Sequence, residues 1–148
     1  MIRKIIIGFV LVFGLLQFFT VNHENPEIMA GADFIELTNT PTEVSEILVT
    51  SCYDCHSNQT VYPWYSSIAP VSWWINDHVE EARDELNFSE WGSFTSKRKT
   101  KKLKEIIEEV EEGEMPLSNY TLMHSSTKLN ETQKEQLLNW VKYLQLKS

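Results

Sequence analysis

The sequence predicts an all-α protein, on three observations. From Thr40 onward, apolar residues recur at helical spacing in four separate stretches. Residues that start or stop helices bound those stretches. The chain's only two cysteines, Cys52 and Cys55, follow a helical pattern and do not sit in a βαβ unit. A little over a hundred residues beyond the N-terminal region suffice for one hydrophobic core. There is no internal repeat and no low-complexity tract.

The first element is apolar. Met1-Ile2-Arg3-Lys4 carries two positive charges, and Ile5 to Val21 then runs seventeen residues without a charge. That length is at the lower limit for crossing a bilayer core of ~30 Å. A signal peptide with a long apolar part shares the pattern. However, the nearest small-x-small site, Ala30-Gly31-Ala32, lies beyond Pro26 and late for cleavage. Residues 1–21 are therefore expected to form an uncleaved signal-anchor, a single transmembrane helix. After Lys4 no Lys or Arg occurs before Arg83, while ten acidic residues fall in that interval. By the positive-inside rule the N-terminus stays in the cytoplasm. The expected location is a bacterial inner membrane, with the main domain on the periplasmic side. With 21 acidic and 13 basic residues and a formal net charge of −8, the chain is a poor binder of nucleic acid or anionic lipid headgroups. Residues 22–39 are polar, contain Pro26 and Gly31, and read as a linker. The globular domain is expected over 40–148.

Thr40 as N-cap, Pro41 at the first helical position and Glu43 closing a Thr-x-x-Glu box predict the first helix of that domain. Val44, Ile47, Leu48 and Ser51 share its inner face. It leads into Cys52-Tyr53-Asp54-Cys55-His56. Two thiols three residues apart, followed at once by an imidazole, are what covalent attachment of a c-type haem requires. The thiols form thioethers to the two vinyl groups, and His56 supplies a neutral ring nitrogen as the proximal iron ligand. A structural zinc site needs four N/S ligands, and His23, His78 and His124 stand far from the pair and from one another. A thioredoxin-like redox pair lacks its βαβ context. A Cys52–Cys55 disulfide would close a small, strained loop.

Three tryptophans and two tyrosines fall within the thirteen residues from Tyr62 to Trp74. One reading is core packing. The other is that they wall a haem edge and, with Arg83, offer hydrogen-bond donors to its propionates. Pro70 opens a second helix with Val71, Trp74, Ile75, Val79, Ala82 and Leu86 on its apolar face. Asn87 to Ser96 reads as a loop with a buried Phe88 and Trp91. The basic run Lys97 to Lys104 leads into a third helix carrying Leu103, Ile106, Ile107 and Val110, stopped by Gly113. The run reads as that helix's solvated face, with a docking patch for an acidic redox partner as the alternative.

Immediately after the stop stands Glu114-Met115-Pro116-Leu117. A methionine before a proline, downstream of CxxCH, is the expected second axial ligand. Its soft, uncharged thioether favours ferrous iron. Met123, His124 and His78 are the rivals, together with an open site. Asn130 and Gln133 cap the last helix, whose inward stripe is Leu137, Leu138, Val141 and Leu144. Packed across the helix before CxxCH, it gives a cytochrome-c-like helical domain around one covalent haem.

The pattern also resembles a known family, the bacterial haem-binding domain family of CxxCH proteins. The residues that carry the resemblance are Cys52 to Asn58, Tyr62-Pro63-Trp64-Tyr65 and Pro70 to Trp74. Asn87 to Trp91, Gly113 to Pro116, Tyr120, His124 and the closing Leu137 to Trp140 helix add to it. The resemblance implies a cytochrome-c-like haem protein and gives no substrate. The expected function is one-electron transfer with an unidentified redox partner protein, not enzymatic catalysis. A haem sensor or peroxidase-like enzyme with a displaceable sixth ligand is the alternative.

Overall fold

A computed structural model describes residues 1–19, 21 and 23–147. The described residues are helical and contain no strand, as the periodicity predicts. The helices are α1 (Ile2–Leu16), α2 (Phe34–Thr38), α3 (Thr42–Ser51), α4 (Tyr53–His56), α5 (Val71–Glu85), α6 (Ser96–Glu112), α7 (Ser118–Met123) and α8 (Glu131–Lys147). Short 3-10 turns cover Trp64–Ser67, Phe88–Ser93 and Ser125–Thr127.

One expectation fails at the N-terminus. α1 has 15 residues, a length of about 22 Å at 1.5 Å per residue, against a hydrocarbon core of ~30 Å. The apolar run does not continue as one helix: Gln17 caps it, and Phe18 and Phe19 turn away. The Gln17 amide donates to Ala69 O (3.0 Å) and accepts from Ala69 N (3.1 Å), and the Trp73 indole donates to Phe19 O (2.8 Å). Among the described residues no helix is long and apolar enough to cross a membrane. The transmembrane helix over residues 1–21, and the single-pass inner-membrane location inferred from it, are therefore not supported. Thr20, within the run, lies outside the described residues.

The core lies between α3, α6 and α8, where Leu48, Leu103, Leu137 and Val141 are almost wholly buried. α8 begins as its sequence requires, because Asn130 and Gln133 cap each other reciprocally at 2.9 and 3.0 Å. α3 starts later than expected. The Thr40 hydroxyl pairs with that of Thr38 (2.6 Å), leaving Pro41 at the cap position without a side-chain bond. An aromatic chain extends the core toward the motif. Tyr53 stacks on Phe88 at 5.1 Å, Phe88 meets Phe34 at 5.2 Å, and Phe34 meets Trp91 edge-on at 4.9 Å. Phe34 belongs to the stretch read as a linker. There Asp33 caps α2 by accepting from Ile35 N, and Phe34 is wholly buried.

Candidate functional site

The chain turns sharply after α3, and the turn presents the motif. Cys52 closes α3, donating its N–H to Leu48 O (2.9 Å), while Cys55 and His56 lie on the single turn of α4. Tyr53, between them, is fixed by its stack on Phe88 and donates its hydroxyl to Asp33 Oδ1 (3.0 Å). A buried polar network holds the residues that follow. Ser57 Oγ donates to Tyr53 O (2.7 Å), Asn58 N to Ser89 Oγ (3.1 Å), and Asn87 Nδ2 to Asn58 Oδ1 (2.7 Å). These bonds give the buried Ser57, Asn58, Asn87 and Ser89 side chains partners, which rigidifies the loop.

His56 is held as a neutral imidazole. Its Nδ1 lies 2.9 Å from Ala82 O and 3.0 Å from Leu86 O, at the end of α5. Carbonyls only accept, so Nδ1 carries the proton and the lone pair is left on Nε2. Burial pulls the imidazole below its ordinary value, against the two carbonyl contacts, and the Lys102 ammonium adds to the lowering. Burial is also the main cause that pushes the Cys52 thiol up to about 12 and the Cys55 thiol up to about 11. Both stay protonated at neutral pH, and neither forms a disulfide.

A cavity of 360 Å³ brings Cys52, His56 and Met115 together among Leu48, Ile106 and Leu137. Gly113 makes that meeting possible. It ends α6 at φ 80°, and the N–H of Met115 turns back onto Glu109 O (3.2 Å), leaving the side chain against the core. The rivals are elsewhere. His78, Met123 and His124 line a different cavity, together with Cys55. His78 Nδ1 donates to Trp74 O (2.8 Å), and His124 Nε2 pairs with the Tyr65 hydroxyl (2.5 Å).

Arg83 and the aromatic stretch take defined places here. Arg83 ties the motif loop together, donating to Ser57 O (2.8 Å), Thr60 Oγ1 (2.8 Å) and Asn25 Oδ1 (2.7 Å). The aromatic stretch is not core either: Trp64 is 79% exposed and, with Trp74, lines the second cavity. Lys102 was hidden within the basic run. It is only 7% exposed, lines the His56 cavity, and pairs with Glu105 (2.7 Å) and Glu85 (3.2 Å). The signal was its spacing, since Lys102, Ile106 and Glu109 share one helix face. Among the described residues no three His, Cys, Asp or Glu side chains cluster as a metal site.

An all-helical domain brings a neutral imidazole, a thiol and a thioether to one cavity, lined by aliphatic side chains together with Glu85, Lys102, Glu105 and Glu109, and this donor set fits the class of haem proteins. The family model of the haem-binding domain matches residues 11–143, and the chain belongs to that family. No curated protein and no solved structure matches it.

Proposed function

We propose that the protein is a one-electron carrier of the c type. In this reading Cys52 and Cys55 hold the haem through thioethers, and His56 and Met115 are its two axial ligands. The observation that carries it is the shared cavity: Met115 is the one rival for the sixth position that lines the space His56 lines. When bound, haem supplies a ferric/ferrous couple.

The chain's own residues do the rest. Ala82 O and Leu86 O hold the Nδ1 proton of His56, which orients the ring and raises the basicity of Nε2. Leu48, Leu86, Ile106, Val110 and Leu137 supply the aliphatic part of a wall that also carries charged side chains from α5 and α6, and a thioether ligand favours the reduced metal. With both positions taken by protein, substrate has no route to the iron, and electrons pass to a partner redox protein.

The test is the spectrum of protein matured with a haem-ligating system. Denaturing-gel haem staining should show covalent haem in the wild type and lose it in the Cys52→Ala, Cys55→Ala double variant. Low-spin iron with a methionine-to-ferric charge-transfer band, lost in Met115→Ala with a lower midpoint potential, is expected. High-spin wild-type iron that takes up carbon monoxide readily would instead favour a sensor or peroxidase-like enzyme.

A further inference from the structure

The second cavity measures 470 Å³, within the range of small-molecule sites, and shares no lining residue with the cavity of His56. Rings of Trp64, Trp74 and Tyr120 wall it, and no Lys or Arg is among its lining residues. Its single acid, Asp54, already accepts from the Tyr120 hydroxyl (2.7 Å) and from Val61 N (3.1 Å). An anion would find no counter-charge there, and a cation would meet a carboxylate already engaged. Flat, uncharged ligands suit such walls.

Polar groups are few and point to oxygen chemistry. His78 donates its Nδ1 proton to Trp74 O, so its Nε2 keeps a lone pair that accepts from a hydroxyl. The Tyr65 hydroxyl and His124 Nε2 share one proton across 2.5 Å, a pair able to donate to a carbonyl oxygen or accept from a hydroxyl. Iron ligation by His56 and Met115 uses neither imidazole.

We infer that this cavity binds an uncharged planar ring bearing oxygen at its edge, the quinone and quinol class. The inference rests on the preceding reading, which places the iron on the His56 side and one thioether, at Cys55, on the margin of this cavity. Cys55 lines this same cavity, so the ligand lies one residue along the chain from the iron-binding imidazole.

Equilibrium dialysis of the haem-loaded protein against 2-methyl-1,4-naphthoquinone tests it, with 2-methylnaphthalene as the hydrocarbon lacking both oxygens. One saturable quinone site is expected. His124→Phe and His78→Phe should each weaken it by about tenfold, the scale of one lost hydrogen bond, and leave hydrocarbon binding unchanged. Tyr65→Phe supplies the same comparison if an imidazole variant does not fold. Absence of saturable binding to protein of full haem content overturns the proposal, the porphyrin then closing both cavities. Equal binding of the two probes overturns it, as does a changed ferric spectrum in His124→Phe. Loss of haem staining would sink the electron-carrier reading alone, because the same dialysis run on haem-free protein reads this cavity without the porphyrin.

Discussion

Burial raises Cys52 and Cys55 above the value of 9.0 they have in an unfolded chain. The folded protein therefore holds two protons that the unfolded chain releases first. Stability from these groups is whole below pH 9 and drains as the pH climbs toward 11 and 12. Tyr53 and Tyr120 act in the same sense from pH 10 upward, raised first by burial and then by Asp33 and Asp54 respectively. Haem-free protein should lose stability to urea from about pH 9, whereas the Cys52→Ala, Cys55→Ala double variant should hold until about pH 10. Coincident onsets would mean that the thiols are as solvated as in the unfolded chain. At this scale the haem-binding family was legible, because the residues around Cys52-Tyr53-Asp54-Cys55-His56 carry the resemblance at fixed spacing. Lys102 and Arg83 were not, since a charge's partners depend on which helices meet. Lys102 faces Glu85 from another helix, and Arg83 reaches a loop 26 residues away.

Among the elements, α6 and the loop after it control where Met115 stands. Gly113 sits at φ 80° with open space where a Cβ would be, so an added methyl meets no atom and costs only conformational energy. Gly113→Ala should destabilise the protein by about 1 kcal/mol, read as a lower urea midpoint at unchanged slope. Because Met115 N bonds Glu109 O just beyond that turn, the same variant should weaken the methionine-to-ferric band without abolishing haem staining. An unchanged band would show that the core contacts of Met115 hold it without help from the turn. The stop of this element was readable from glycine and its apolar stripe from its period, but its start at Ser96, capped by Thr95, was not. α1 was misread for a related reason. Hydropathy counts apolar residues, but Gln17 has an amide that satisfies both backbone groups of Ala69, and that tertiary contact ends the helix. Thr40 shows the same override on a smaller scale, its hydroxyl engaged by Thr38 instead of a helical N–H.

For the whole molecule, the open question is where the cooperative domain begins. Polar composition marks residues 22–39 as a tether, yet Phe34 stands at the centre of the aromatic chain that supports Tyr53. Gly92 N donates to Ala32 O at 2.8 Å, binding the same segment to the turn that carries Trp91. The clue in the sequence was local: Asp33 as a cap before Phe34, Ile35 and Leu37. An average over the stretch dilutes it. If this segment is part of the domain, Phe34→Ala should cost about 4 kcal/mol, the usual loss for a buried phenylalanine. Trp64→Ala, at a side chain 79% exposed, should shift stability by no more than about 0.5 kcal/mol. Urea unfolding followed by helical circular dichroism compares the two, and equal small losses would return the segment to a tether. A large loss at Phe34 carries a consequence for the site. Its contact with Phe88 is shared with the Tyr53 stack, so the variant should also slow haem attachment, by loosening the turn on which Cys55 and His56 lie.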